Sequence, residues 1–79
     1  MNIIVLNLPR QATASDLSRL FKEFGAIESC DIVMDQKTGQ SKGFGFVKML
    51  NDAEAIKAIH SLHSQKFGGN IIRVKASDK

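Results

Sequence analysis

The chain has 79 residues, enough for one domain around one core and no more. Its residues are 43% hydrophobic and 24% charged, an ordinary balance for a globular domain and the wrong one for a disordered tail. Eleven Lys and Arg against eight Asp and Glu give a net charge of +3, a mild bias toward polyanions, and the single cysteine, Cys30, excludes an internal disulfide or a cysteine-built metal site.

The opening apolar run, residues 3–6, is far too short to span a bilayer and lacks the basic flank and cleavage site of a signal peptide. With a lone cysteine, the expected setting is a reducing one, the cytoplasm, or the nucleus if the source has one, with no membrane partner. Residues 2–8 read as a first strand, a β-branched and leucine run closed by Pro9. Thr13 then stands as a helix N-cap with Asp16 three residues on, the spacing of a capping box. Leu17, Leu20, Phe21 and Phe24 recur at the spacing of one buried helical face, and Gly25 is expected to close the helix in a left-handed conformation.

A second strand is expected from Ile27 to Met34, with Cys30, Ile32 and Met34 on one face and Asp31 and Val33 on the other. Cys30, among apolar alternates, reads as a small core residue rather than a reactive thiol. Residues 35–41 are a polar, glycine-containing hairpin loop. The third strand, residues 42–49, reads Lys-Gly-Phe-Gly-Phe-Val-Lys-Met, so that Phe44, Phe46 and Lys48 share one face and Gly45, Val47 and Met49 the other. Asn51 or Asp52 caps a second helix carrying Ala55, Ala58, Ile59 and Leu62 at helical spacing. Gly68 and Gly69 turn the chain into a last strand over residues 70–76.

The order is β-α-β-β-α-β, an α+β arrangement in which right-handed crossovers put both helices on one side of a four-stranded antiparallel sheet. The helix side takes Ile3, Val5, Cys30, Ile32, Gly45, Val47, Met49, Ile72 and Val74. The other side holds Ile4, Leu6, Val33, Phe44, Phe46, Ile71, Arg73 and Lys75, an apolar centre with basic edges and no chain left to cover it. Such a patch marks a binding surface.

Residues 42–48 fit, position by position, the octamer K/R-G-F/Y-G/A-F-V-x-F/Y, and only Met49 departs at its last place. With residues 3–8 as its partner motif and the stretch from Ala55 through Gly69, the chain resembles the RNA recognition motif family over essentially its whole length. The resemblance implies a single domain over residues 1–79 with the ferredoxin-like split-βαβ fold, strands in the order 4-1-3-2. It implies that Phe46 stacks a base, Phe44 packs against base or sugar, and Lys42 pairs with a phosphate. Arg73, Lys75 and the tail to Lys79 are where the family's last strand meets RNA. Ile4 stands where a second stacking aromatic is common, and Leu6 where a small or polar residue is usual, which implies weaker or less selective binding. A strand starting beside Met1 is similar to the stand-alone bacterial members, and so to a short natural chain rather than one module of a larger protein.

The expected partner is therefore single-stranded RNA, or single-stranded DNA with the same bases, held by Ile4, Leu6, Lys42, Phe44, Phe46, Lys48, Arg73 and Lys75. A competing reading uses the same apolar face, Ile4, Leu6, Phe44 and Phe46, to dock a protein, a peptide or a second copy of an otherwise monomeric chain. Asp31 either accepts a base amino group or repels phosphates, and one carboxylate does not decide between them. Arg10 either guides RNA at the sheet edge or is an idle surface arginine. His60 and His63 have the spacing of a helical metal pair but no third ligand nearby, so a solvated helix face is expected, with no metal and no cofactor. Catalysis is not expected: there is no nucleophile triad, no facing carboxylate pair and no phosphate-cradling loop followed by Lys-Ser/Thr.

Overall fold

The computed structural model describes residues 1–39 and 41–77, the side chains of Ser41 and Lys42 apart. Its elements are β1 (Asn2–Leu6), α1 (Ala14–Lys22), β2 (Ile27–Met34), β3 (Ser41–Met49), α2 (Asp52–Leu62), β4 (Lys66–Phe67), β5 (Asn70–Ile71) and β6 (Arg73–Ser77). The main sheet runs β2-β3-β1-β6 with every neighbour antiparallel. This is the expected 4-1-3-2 order seen from its other edge, and the fold is the expected ferredoxin-like one.

Helix α1 begins where the sequence supplies a cap. The Asp16 N–H donates to the Thr13 hydroxyl and the Thr13 N–H donates to the Asp16 carboxylate, both at 3.1 Å, so two otherwise orphaned amide donors are satisfied. Asn51 caps α2 by accepting from the Glu54 N–H at 3.0 Å. The apolar stripes of both helices then meet one face of the sheet. Leu17 and Phe21 from α1 and Ala55, Ala58 and Leu62 from α2 are buried against Ile3, Val5, Val47, Met49 and Val74. Each large side chain taken fully out of water, Phe21 and Ile3 for example, contributes about 1.5–3 kcal/mol. Phe24 and Phe67 add partly buried cover at the rim of this core.

Five local expectations are corrected. Gly25 does not supply a left-handed cap: α1 stops at Lys22, its C-cap Glu23 is right-handed helical, and Gly25 has φ +159°. The first strand ends at Leu6 because Asn7 turns to φ +63°, a conformation asparagine tolerates, which drops Leu8 into the core. The Asn7 side-chain amide donates to the Ile71 carbonyl at 2.7 Å, and that of Asn70 donates to the Asn7 carbonyl at 3.2 Å, clasping this turn to the far hairpin. The last strand is broken in two. Residues of β5 pair with β4 in a separate ribbon, buried Ile72 bonds to Ser64 and Gln65, and β6 joins the main sheet only from Arg73. Ile71, 50% exposed, therefore leaves the open face on which it was expected. Met34 also misses the core, at 51% exposure, because the β2–β3 register shifts between Ile32 and Met34 at the loop end of the strand.

Candidate nucleic-acid interface

Strand pairing arranges the uncovered face of the sheet in rows. One row runs Lys75 on β6, Ile4 on β1, Phe46 on β3 and Asp31 on β2, each directly opposite the next. The next row runs Arg73, Leu6 and Phe44, and the one on the other side runs Ser77, Asn2, Lys48 and Ser29. The expected residues Ile4, Leu6, Phe44, Phe46, Lys48, Arg73 and Lys75 thus come together on one surface. The Lys42 side chain lies outside the described residues, as does the tail beyond Ser77. Arg10 is exposed in the β1–α1 connection, off these rows.

Ile4, Leu6, Val33, Phe44 and Phe46 are all half-buried, and none of them packs against the core beneath the helices. The Phe44 and Phe46 rings stand edge to face, their centroids 6.1 Å apart and their planes at 85°. A perpendicular pair of this kind is itself favourable by about 0.5–1.5 kcal/mol beyond buried area, so the rings hold each other in place before any ligand arrives. It also means that the two rings cannot both lie flat against one planar molecule.

The two glycines beside the rings have separate reasons. Gly43 sits at φ +88°, a conformation costly for any residue with a Cβ, and its carbonyl accepts the Leu8 N–H at 2.8 Å. Gly45 points into the helix side, where an added Cβ would lie 2.6 Å from the Asp31 carbonyl oxygen and 3.3 Å from Leu17 Cδ2. The β2 backbone and α1 close on β3 at this point, so the ring-bearing strand is pinned from behind.

The electrostatics are lopsided. Arg73 and Lys75 are exposed on the β6 side, and among the described residues neither has an acidic partner. Lys48 does have one: its Nζ lies 3.5 Å from Glu28 Oε2, both side chains about half exposed. This pair is not legible in the spacing of β2, because a register shift between Ile27 and Ser29 sets Glu28 out of simple alternation. Behind Asp31, burial and then the Asp31 charge push the Cys30 thiol up from its ordinary range, and its Sγ donates to the Ala14 carbonyl at 3.4 Å. Cys30 is part-buried against the core rather than fully enclosed.

His63 is not merely solvated. Its Nδ1 accepts the Val74 N–H at 3.1 Å, so the imidazole ties the end of α2 to the outer edge of β6. Among the described residues no group of three His, Cys, Asp or Glu is placed to hold a metal, and no helix is long and apolar enough to cross a membrane.

An open four-stranded sheet with an aromatic pair and flanking cations, backed by two helices, defines the class of the molecule. Residues 3–73 match the RNA recognition motif, and the chain belongs to that family. It is 39% identical over 77 residues to the chloroplastic 28 kDa ribonucleoprotein of Spinacia oleracea, covering 98% of this chain and 33% of that protein. It is 40% identical over 77 residues to the chloroplastic RNA-binding protein CP31B of Arabidopsis thaliana, covering 98% of this chain and 27% of that one. The chain thus spans about a third or less of these relatives. Among solved structures, it superposes on the crystal structure of RNA-binding protein PG1 with a TM-score of 0.97 at 39% identity, covering 100% of this chain and 95% of that chain. A Sex-lethal protein–RNA complex superposes with a TM-score of 0.93 at 32% identity, covering 99% of this chain and 47% of that chain.

Proposed function

We propose that the chain is a single-domain RNA recognition motif that binds short single-stranded RNA across its uncovered sheet. The observation that carries this reading is the half-exposed Phe44/Phe46 pair, in register with Ile4 and Leu6 and flanked by Arg73 and Lys75. Every base has a π-face, and a base stacked on an aromatic ring gains about 1–3 kcal/mol whatever its sequence. In this reading Phe46 stacks one base and Phe44 packs against a neighbouring base or sugar. Ile4 and Leu6 supply apolar contact without a second ring. Lys42, Lys48, Arg73 and Lys75 neutralise phosphates, Lys48 by exchanging its exposed Glu28 partner for one. Single-stranded DNA offers the same stacking faces and would be held more weakly wherever a 2′-hydroxyl is contacted.

The module acts by binding and not by chemistry, as a monomer in the cytoplasm, where it serves post-transcriptional regulation. Support for binding also comes from its relatives, which are named as ribonucleoproteins and RNA-binding proteins. Affinity for a pool of mixed-sequence single-stranded RNA oligonucleotides tests the reading. Phe46→Ala should weaken binding by about 1–3 kcal/mol, with the fold intact by circular dichroism. Unchanged affinity would contradict stacking on this face.

A further inference from the structure

Asp31 is the anomaly of the open face. It sits directly across from Phe46, it is exposed, and among the described residues its carboxylate makes no hydrogen bond and no ion pair. The nearby acid, Glu28, is already engaged by Lys48 at 3.5 Å. Side chains directly opposed on neighbouring strands have Cβ atoms roughly 4.5–5.5 Å apart. A base lying on the Phe46 ring is wider than that spacing and must overhang one neighbour. Over β1 it meets Ile4, which offers nothing to a polar edge. Over β2 it meets Asp31.

The charge along the row orients the strand. The row begins at Lys75 on β6 and ends at Asp31 on β2, with Ile4 and Phe46 between them. Phosphates are drawn toward the cationic end and away from the carboxylate, so it is a base edge that faces Asp31. A carboxylate only accepts hydrogen bonds. Guanine offers it two parallel donors, N1–H and the N2 amino group, matching its two oxygens. Adenine and cytosine offer one amino donor beside a ring nitrogen that repels it. Uracil offers a single N–H between two carbonyl oxygens.

Resting on the RNA-binding reading, we propose that Asp31 sets base preference at the Phe46 position, selecting guanine, then adenine or cytosine, and rejecting uracil. The carboxylate is thus a specificity determinant and not simply a deterrent to phosphates.

The test uses the full chain and four RNA pentamers, all uridine except for a central guanine, adenine, cytosine or uridine. Wild-type protein should bind the guanine pentamer roughly tenfold more tightly than the all-uridine one, the scale of one good bidentate base contact. Asp31→Asn, which keeps the shape but replaces one acceptor with a donor, should erase most of that ratio and leave all-uridine affinity equal or higher. Two results overturn the proposal: an unchanged guanine-to-uridine ratio in Asp31→Asn, or an equal gain on all four pentamers, the mark of simple phosphate repulsion. Phe46→Ala separates the two claims. If it weakens all four pentamers while Asp31→Asn leaves the ratio untouched, stacking stands and the base-selection claim falls. If wild type binds none of them, the RNA-binding reading itself fails.

Discussion

Gly45 shows how tightly the site is coupled to the core at the level of single residues. The rings of Phe44 and Phe46 look outward, but the strand that carries them is held from behind by the Asp31 carbonyl and by Leu17. An alanine there would need the β2 backbone, not a flexible side chain, to move. Overpacking of that kind costs roughly 1–3 kcal/mol, so Gly45→Ala should lower the urea midpoint with little change in the slope of the transition. An unchanged midpoint would mean that β2 and β3 are less closely locked than their geometry implies. That both glycines belong beside the rings was legible in residues 42–49. Their reasons were not: the positive φ of Gly43 and the close approach at Gly45 depend on β2 and on the β1–α1 connection, which meet β3 only after folding.

At the scale of elements, the start of α1 was legible to the residue and that of α2 to within one, Asn51 or Asp52, because their signals are local. Thr13 and Asp16 satisfy each other's amides within one turn. Thr13→Ala should therefore cost about 1 kcal/mol and lower the melting temperature by about 4–8 °C for a domain of this size, with the calorimetric transition as the measurement. The ends of β2 and β3 were legible to within one residue, whereas the end of the first strand and the start of the last were not, since they answer to partners distant in sequence. The break at Asn7 is fixed by bonds to Asn70 and Ile71, more than sixty residues away. The interruption at Ile72 exists because its amide and carbonyl bond to Gln65 and Ser64 instead of continuing a ladder. The β2 register shifts likewise produced the Lys48–Glu28 pair, which strict alternation does not yield. That pair has a functional consequence. An exposed ion pair is worth at most about 1 kcal/mol, so Glu28→Gln should free Lys48 for phosphate and raise RNA affinity about twofold or more at low salt. Filter binding across a salt series would record it, and a loss of affinity would place Glu28 in a contact of its own.

At the scale of the whole molecule, the net charge of +3 says little, because what matters is where the charges lie. The helices bury the centre of one sheet face, while the other keeps its apolar centre half-open between cations on β6, which have no acidic partner among the described residues, and acids on β2. Alternation along β1 and β3 was enough to separate these faces from sequence, because both strands are central and obey the period of two. The edges were harder: β6 is shorter than expected and β2 is bulged. His63 adds a further device that sequence spacing hid, an imidazole that occupies the edge amide of Val74. By covering part of that edge it reduces the unpaired backbone available for strand-to-strand association.

The most direct test follows backbone amide resonances of the intact chain while a mixed-sequence single-stranded RNA oligonucleotide is added. Binding across the open sheet should give the largest shifts at Ile4, Leu6, Phe44 and Phe46 and along β6, with α1 and α2 amides nearly still. Shifts confined to the helices, or none at saturating RNA, would contradict it.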